Sequence, residues 1–329
     1  MMTYDEVCKE LMAKKIISFA DIYDFSETPL ENYFENFFTF CQTNLSERCK
    51  EYDIQPARFI YTNDYNINAK ASFPEGFNII QVNCGTIVKT YESLYSKNFL
   101  FKEDKEINKN YSEIETLFKI PLGFLMFQVA VQFTFYHELA HLIQKPFKVF
   151  DSLDERKHNG TEDKYSSLKH CLEFDADIHA ANMIPPHILD FWKKHPDQHQ
   201  TAGNLSKLLS VVVSGILNYF MIMGQCDQDI YYTESSHPHP IIRAVYITEK
   251  IIQVAEINVD FKLDSGVILQ EAFNITEKFC IHHAIPNFVA KFNEIFSVHS
   301  DDIGDYIEIL DTESDQFPNL VRNKFPDSV

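Results

Sequence analysis

The sequence predicts an α+β fold that is mainly helical, with a small antiparallel β-meander and a C-terminal helical extension. Three observations carry this. "IPLGFLMFQVAVQFTFYHELAHLI" and "LLSVVVSGILNYFMIM" read as buried helices, and "RFIYTND", "INAKASF" and "FNIIQVN" are short β-prone runs. No repeat, low-complexity tract or evident linker divides the 329 residues, and a composition that is 45% hydrophobic and 14% aromatic is ample for one large core.

Residues 1–57 form an N-terminal helical segment, with "ENYFENFFTFCQTNL" as one amphipathic helix. The central unit, 58–257, begins with the three β runs, the last two separated by the turn signal Pro74-Glu75-Gly76. A helix near 86–98 and a charged connection, "KEDKEINKNYSE", lead to Pro121, which suits the first turn of a long helix running to about 144. The polar stretch "DSLDERKHNGTEDKYSS" reads as a loop. The next helix, near 168–183, should end at Pro185-Pro186. Helices at about 204–224 and from Pro240 to about 256 follow, and 258–329 reads as a helical extension packed on the same domain.

Twenty-nine basic against 48 acidic residues give a net charge of −19, which repels phosphate backbones and anionic lipid surfaces, so nucleic acid is not an expected partner. The acidic residues are dispersed, unlike the one-sided array of a nucleic-acid mimic. Seven scattered cysteines without a CxxC pair suit reduced thiols. The N-terminus lacks a secretory pattern, so the mature protein is expected to start here. Of the two apolar runs, the first carries Gln128, Gln132 and the His/Glu cluster, and the second has 16 residues, short of the ~20 a bilayer demands. The expectation is a cytoplasmic protein without a membrane span; its oligomeric state is open.

"FTFYHELAHLIQ" places His137, Glu138 and His141 in an otherwise apolar helix, where each costs free energy unless it finds a partner. Residues four apart share a helical face, so His137 and His141 can offer two nitrogens to one ion. Catalytic zinc takes three protein ligands and leaves one position open. Glu138, ~100° round the helix from His137, is placed as a general base rather than a ligand. "HCLEFDADIHAANM" pairs Glu173 with Asp177 on one face: Glu173 can complete the zinc shell, and Asp177 can accept the N–H of a ligand histidine. Asp175, turned ~200° from Asp177, should face elsewhere and matter little. Ala176 and Ala180 would let the two helices approach closely. In "SSHPHPIIRA", His237 and Arg243 supply an oxyanion donor and a charge that holds the site together, with His239, Tyr231 and Tyr232 as alternative donors. His170 and His179 are substitute-ligand candidates.

HELAH, then Glu173-Phe174-Asp175-Ala176-Asp177, then His237-Pro238 with Arg243 resembles the gluzincin metallopeptidases of the Ste24/HtpX type. "NINAKASFPEGFNIIQVNCGTI" is similar to the segment those enzymes carry before HExxH, and the match in order and spacing runs from about residue 60 to 255. Without a convincing span, the chain is closest in layout to the soluble Lit-type phage-exclusion peptidases. The resemblance implies a zincin-like domain, Zn2+, and hydrolysis of a peptide bond in an intracellular protein, in phage exclusion or a toxin-like response, with translation elongation factor Tu as a substrate candidate. Residues 1–57 and 258–329 match nothing in it.

On this reading zinc activates its bound water, Glu138 takes the water proton, and His237 or a nearby tyrosine stabilises the oxyanion. The substrate backbone is expected to add as a strand beside "NIIQVN". The rival is a non-catalytic zinc-stapled interaction protein or a degenerate peptidase acting as a binding module. Against it stands Glu138, since a structural zinc site has no use for a base.

Overall fold

The computed structural model describes residues 2–74, 76–145, 152–154, 167–223, 229–235, 237–285 and 288–325. Of the polar stretch expected as a loop at 151–167, only 152–154 and 167 fall among them.

Helices α1 (Tyr4–Ala13) and α2 (Glu31–Arg48) form the N-terminal segment. A capping box between Thr3 and Glu6 starts α1, satisfying two otherwise orphaned amides. Strands β1 (Ala57–Thr62), β2 (Ala69–Ser72), β3 (Asn78–Asn83) and β4 (Ser152–Asp154) make a sheet of order β1-β3-β2-β4. It is mixed, not the antiparallel meander expected: β1 runs parallel to β3 in register Ala57↔Asn78, while β2 is antiparallel to β3 and β4. The chain leaving β1 crosses over the end of β3, so β2 returns on the far side. The crossing is pinned where Gly85 N–H and Cys84 Sγ–H both donate to the Asp64 carbonyl. A Cβ at Gly85 would lie 2.1 Å from the Tyr65 carbonyl oxygen, so glycine alone allows this approach. With β1 and β2 on either side, β3 has no free edge, and strand addition beside "NIIQVN" is ruled out.

Helix α3 (Cys84–Tyr91) leads through a π-helical turn and α4 (Leu100–Glu103) to α5 (Lys105–Phe118). The charged connection is therefore helical. Ile107, Tyr111, Ile114 and Phe118 recur at helical spacing and are buried, and Asp104 caps the start. The long helix α6 (Leu122–Gln144) is the central element, packed against the sheet, α7 (Ser167–Lys193) and α8 (Ala202–Ile222). Gly215 of α8 brings its backbone onto Met126, where a Cβ would sit 3.0 Å from the Met126 Cα.

Contrary to expectation, α7 continues through Pro185 and Pro186. The prolines remove two N–H donors, but the following turns bury Ile188, Leu189 and Trp192, which offsets the loss. Helix α9 (Pro240–Ile257) packs on α7, and α10 (Ser265–His282), α11 (Phe288–Ser314) and α12 (Val321–Lys324) complete the chain. A single hydrophobic cluster joins residues of the N-terminal, central and C-terminal segments.

Among the described residues α8 alone is by itself long and apolar enough to cross a membrane, and 83% of its apolar window is buried inside the protein. Cys8, Cys41, Cys49, Cys84, Cys171 and Cys280 are free thiols.

Gly85→Ala should lower the stability by at least ~1–3 kcal/mol, the cost of overpacking against backbone that cannot yield. Urea unfolding checks this.

Candidate metal centre

Helix α6 buries an unbroken run from Phe133 to Gln144, and within it His137, Glu138 and His141 are all inaccessible to solvent or nearly so. Alongside, α7 contributes Glu173, also buried. The three ligand-type residues His137, His141 and Glu173 bring one ligand atom each to within 4.8 Å of one another. The two imidazole Nε2 atoms are 3.1 Å apart, and Glu173 oxygens lie 3.4 Å from His137 Nε2 and 3.5 Å from His141 Nε2. A tetrahedral ion held at ~2.0–2.1 Å separates its ligand atoms by about 3.3–3.4 Å. The two Glu173 distances are to different oxygens, Oε2 and Oε1, so the carboxylate faces both imidazoles, at separations close to those between ligands of one metal ion.

The ring tautomers follow from what the other nitrogens touch. His137 Nδ1 lies 2.9 Å from Asp177 Oδ1, and the buried Asp177 is held down to about 2 by Arg243 and His137, which outweigh its desolvation. An ionised carboxylate only accepts, so His137 Nδ1 carries a proton and Nε2 is the nitrogen that faces the gap. His141 Nδ1 faces Gln144 Oε1 at 2.8 Å, and the orientation of that amide is fixed because its nitrogen donates to the Leu172 carbonyl at 2.9 Å. His141 Nδ1 is thus a donor as well, and its Nε2 points a lone pair into the gap. Two imidazole Nε2 atoms at this distance, beside a carboxylate, suit a cation between them, a proton in the metal-free chain or a metal ion in its place.

Burial works against the charge on Glu173, but His237, His141 and His137 hold its carboxyl well below the usual range. Burial lowers His141 to about 4, keeping it neutral, whereas for His137 the carboxylates of Asp177 and Glu173 outweigh burial and hold it well above its ordinary value.

Asp177 is also where the centre joins α9. Arg243 donates to it twice, Nε to Oδ2 and Nη2 to Oδ1, each at 2.8 Å, and Tyr246 O–H donates at 2.6 Å. The guanidinium stacks over Phe220 of α8 at 4.7 Å. Arg243 thus positions Asp177, the bracing role its charge suggested, and is directed at that carboxylate rather than at the His137–His141–Glu173 cluster. His237 stands with Nε2 3.5 Å from Glu173 Oε1, at the edge of the cluster. His239 instead accepts the Ile241 N–H as the cap of α9.

His170 and His179 are not brought into the ligand group. His170 is engaged by Tyr306 O–H and the Ser235 carbonyl. His179 projects among Tyr52 and Tyr136, and neither ring nitrogen finds a hydrogen-bond partner among the described residues. Asp175 does face elsewhere; it is buried and accepts from Gln144 Nε2 and from the Val321 and Arg322 amides. Tyr246 and Gln144 escaped sequence reasoning. Each lies three residues beyond a recognised one, Arg243 and His141, on the same helical face, and that spacing was the available signal.

No protein-family model, curated protein or solved structure matches the chain. The reading of the centre therefore rests on its geometry.

Removing the Asp177 charge leaves Arg243 buried and unpaired, so Asp177→Asn should cost ~3–5 kcal/mol in the metal-stripped protein. Arg243→Met should cost a similar amount, and the double variant less than the sum, as read by a double-mutant cycle in urea.

His179 gives a pH test. Burial lowers it from 6.5 to about 3, so between those values the unfolded chain binds a proton that the folded chain does not. Stability therefore falls as pH falls through that window. His179→Leu should flatten the stability–pH profile there, and an unchanged slope would refute the assignment.

Proposed function

We propose that this protein is a zinc-dependent endopeptidase of the gluzincin type, with a zincin-like core, acting on an intracellular protein in the cytoplasm. The single observation that supports it most is the triangle of His137 Nε2, His141 Nε2 and Glu173, matched to zinc in donor type and spacing, with Glu138 on the same helix between the two histidines. When bound, zinc supplies Lewis-acid polarisation of a carbonyl and activation of water. The remaining roles belong to the chain. Glu138 takes a proton from the attacking water and passes it to the leaving amine. His237 donates toward the developing oxyanion from its place beside Glu173. Asp177, braced by Arg243 and Tyr246, fixes the tautomer and aim of His137, and Gln144 does the same for His141. By resemblance alone, translation elongation factor Tu is the first substrate to test, in a phage-exclusion or toxin-like setting.

One observation favours a second reading. His137, Glu138, His141 and Glu173 are each at most 3% exposed, a burial that suits a metal stapling α6 to α7 in a non-catalytic interaction protein.

The two readings separate experimentally. Purified protein should hold about one zinc per chain, and His137→Ala, His141→Ala and Glu173→Ala should each lose it on dialysis against a mild chelator. In a bacterial host, wild type should generate one or a few new protein N-termini. Glu138→Gln should keep its zinc and abolish those cuts. Zinc retention with no cleavage by wild type would favour the staple.

A further inference from the structure

The C-terminal segment reaches the centre through a continuous chain of hydrogen bonds. His141 Nδ1–H donates to Gln144 Oε1, Gln144 Nε2 donates to Asp175 Oδ2 at 2.9 Å, and Asp175 accepts Val321 N–H at 2.7 Å and Arg322 N–H at 3.2 Å. The residues at its core, His141, Gln144, Asp175 and Val321, are at most 2% exposed, so water does not compete for these bonds. Around it the tail is clamped. Lys324 Nζ donates to the Ile143 carbonyl, the Phe325 ring packs on Tyr52, and Arg322 pairs with Asp311 of α11.

We infer that residues 320–325 are a working part of the metal centre: their amides orient Asp175, which orients Gln144, which holds the tautomer and aim of His141. This rests on the metal reading above and adds a control to it, since the affinity of the site depends on whether residues 320–325 are docked. Gln144 has one amide and several local partners to choose among. Asp175 and the Leu172 carbonyl together capture its nitrogen and so leave its oxygen for His141. Without the two tail amides, Asp175 is a buried carboxylate with one donor, free to turn from Gln144, and the Gln144 amide is left with the Leu172 carbonyl as the one remaining anchor of its nitrogen, which loosens its hold on His141. Segments that hold a ligand through an outer partner act on affinity rather than on ligand identity. The tail is therefore a positioning element.

Val321→Pro in the full chain isolates the link. Position 321 is the first of α12, where proline is geometrically welcome, and Leu320 before it is extended (φ −63°, ψ 150°), as a residue preceding proline requires. The variant removes one donor to Asp175 and also the buried Val321 side chain, so Val321→Ala, which trims the side chain and keeps the amide, is its control and should retain wild-type zinc affinity. Zinc affinity, measured by competition with a chromophoric chelator, should fall about 3–10-fold in Val321→Pro and about 10–100-fold in Gln144→Ala, with the double variant close to Gln144→Ala alone. Reciprocity supplies a measurement on the unaltered protein: adding zinc to wild type should slow hydrogen exchange at the Val321 and Arg322 amides. Wild-type affinity in Val321→Pro, independent effects in the double variant, or tail exchange indifferent to zinc would each overturn the inference while leaving the metal site intact. Absence of zinc binding by wild type would overturn the metal reading itself.

Discussion

One buried carboxylate holds the arrangement together. Asp177 receives four hydrogen bonds, from His137 on α6 and from Arg243 and Tyr246 on α9, while sitting on α7. A charge in an apolar interior is tolerated only when paired and fully hydrogen-bonded, and a buried guanidinium has the same requirement. Each therefore obliges the other, and three helices distant in sequence are locked in one relative placement. That placement aims His137 Nε2 at His141 Nε2 and at Glu173.

The centre has two supports of different character. On the His137 side the brace is ionic and made by central helices, so it is as permanent as the fold. On the His141 side it is an amide, Gln144, tied through Asp175 to the backbone of the last helical turn. The first support is made within the central unit, while the second depends on residues 320–325, which lie far from it in sequence.

Much of the candidate site was legible because its signals are local. His137 and His141, and likewise Glu173 and Asp177, stand four apart within single helices, and Asp177 meets a ligand histidine as that spacing suggests. What could not be read was how helices meet. The Asp177–Arg243 pair spans 66 residues and the Asp175–Val321 bond 146, distances over which no periodicity speaks. Sequence reasoning discounted Asp175 because it lies off the metal face; its other face meets the C-terminal tail. The sheet was misread for the same reason, since pairing order depends on a crossing that Gly85 permits, and nothing in three β-prone runs says which lies in the middle. The prolines of α7 misled because a local preference was outweighed by the burial of Ile188, Leu189 and Trp192.

The central claim is that the gap between the two imidazoles and Glu173 is the seat of one metal ion. Anomalous diffraction from zinc-loaded crystals, collected above and below the zinc edge, tests it most directly. The account expects a single strong peak about 2.0–2.1 Å from both His137 Nε2 and His141 Nε2 and at a similar distance from a Glu173 oxygen. A zinc-loaded crystal with no peak there, or with its peak held by other residues, would contradict it.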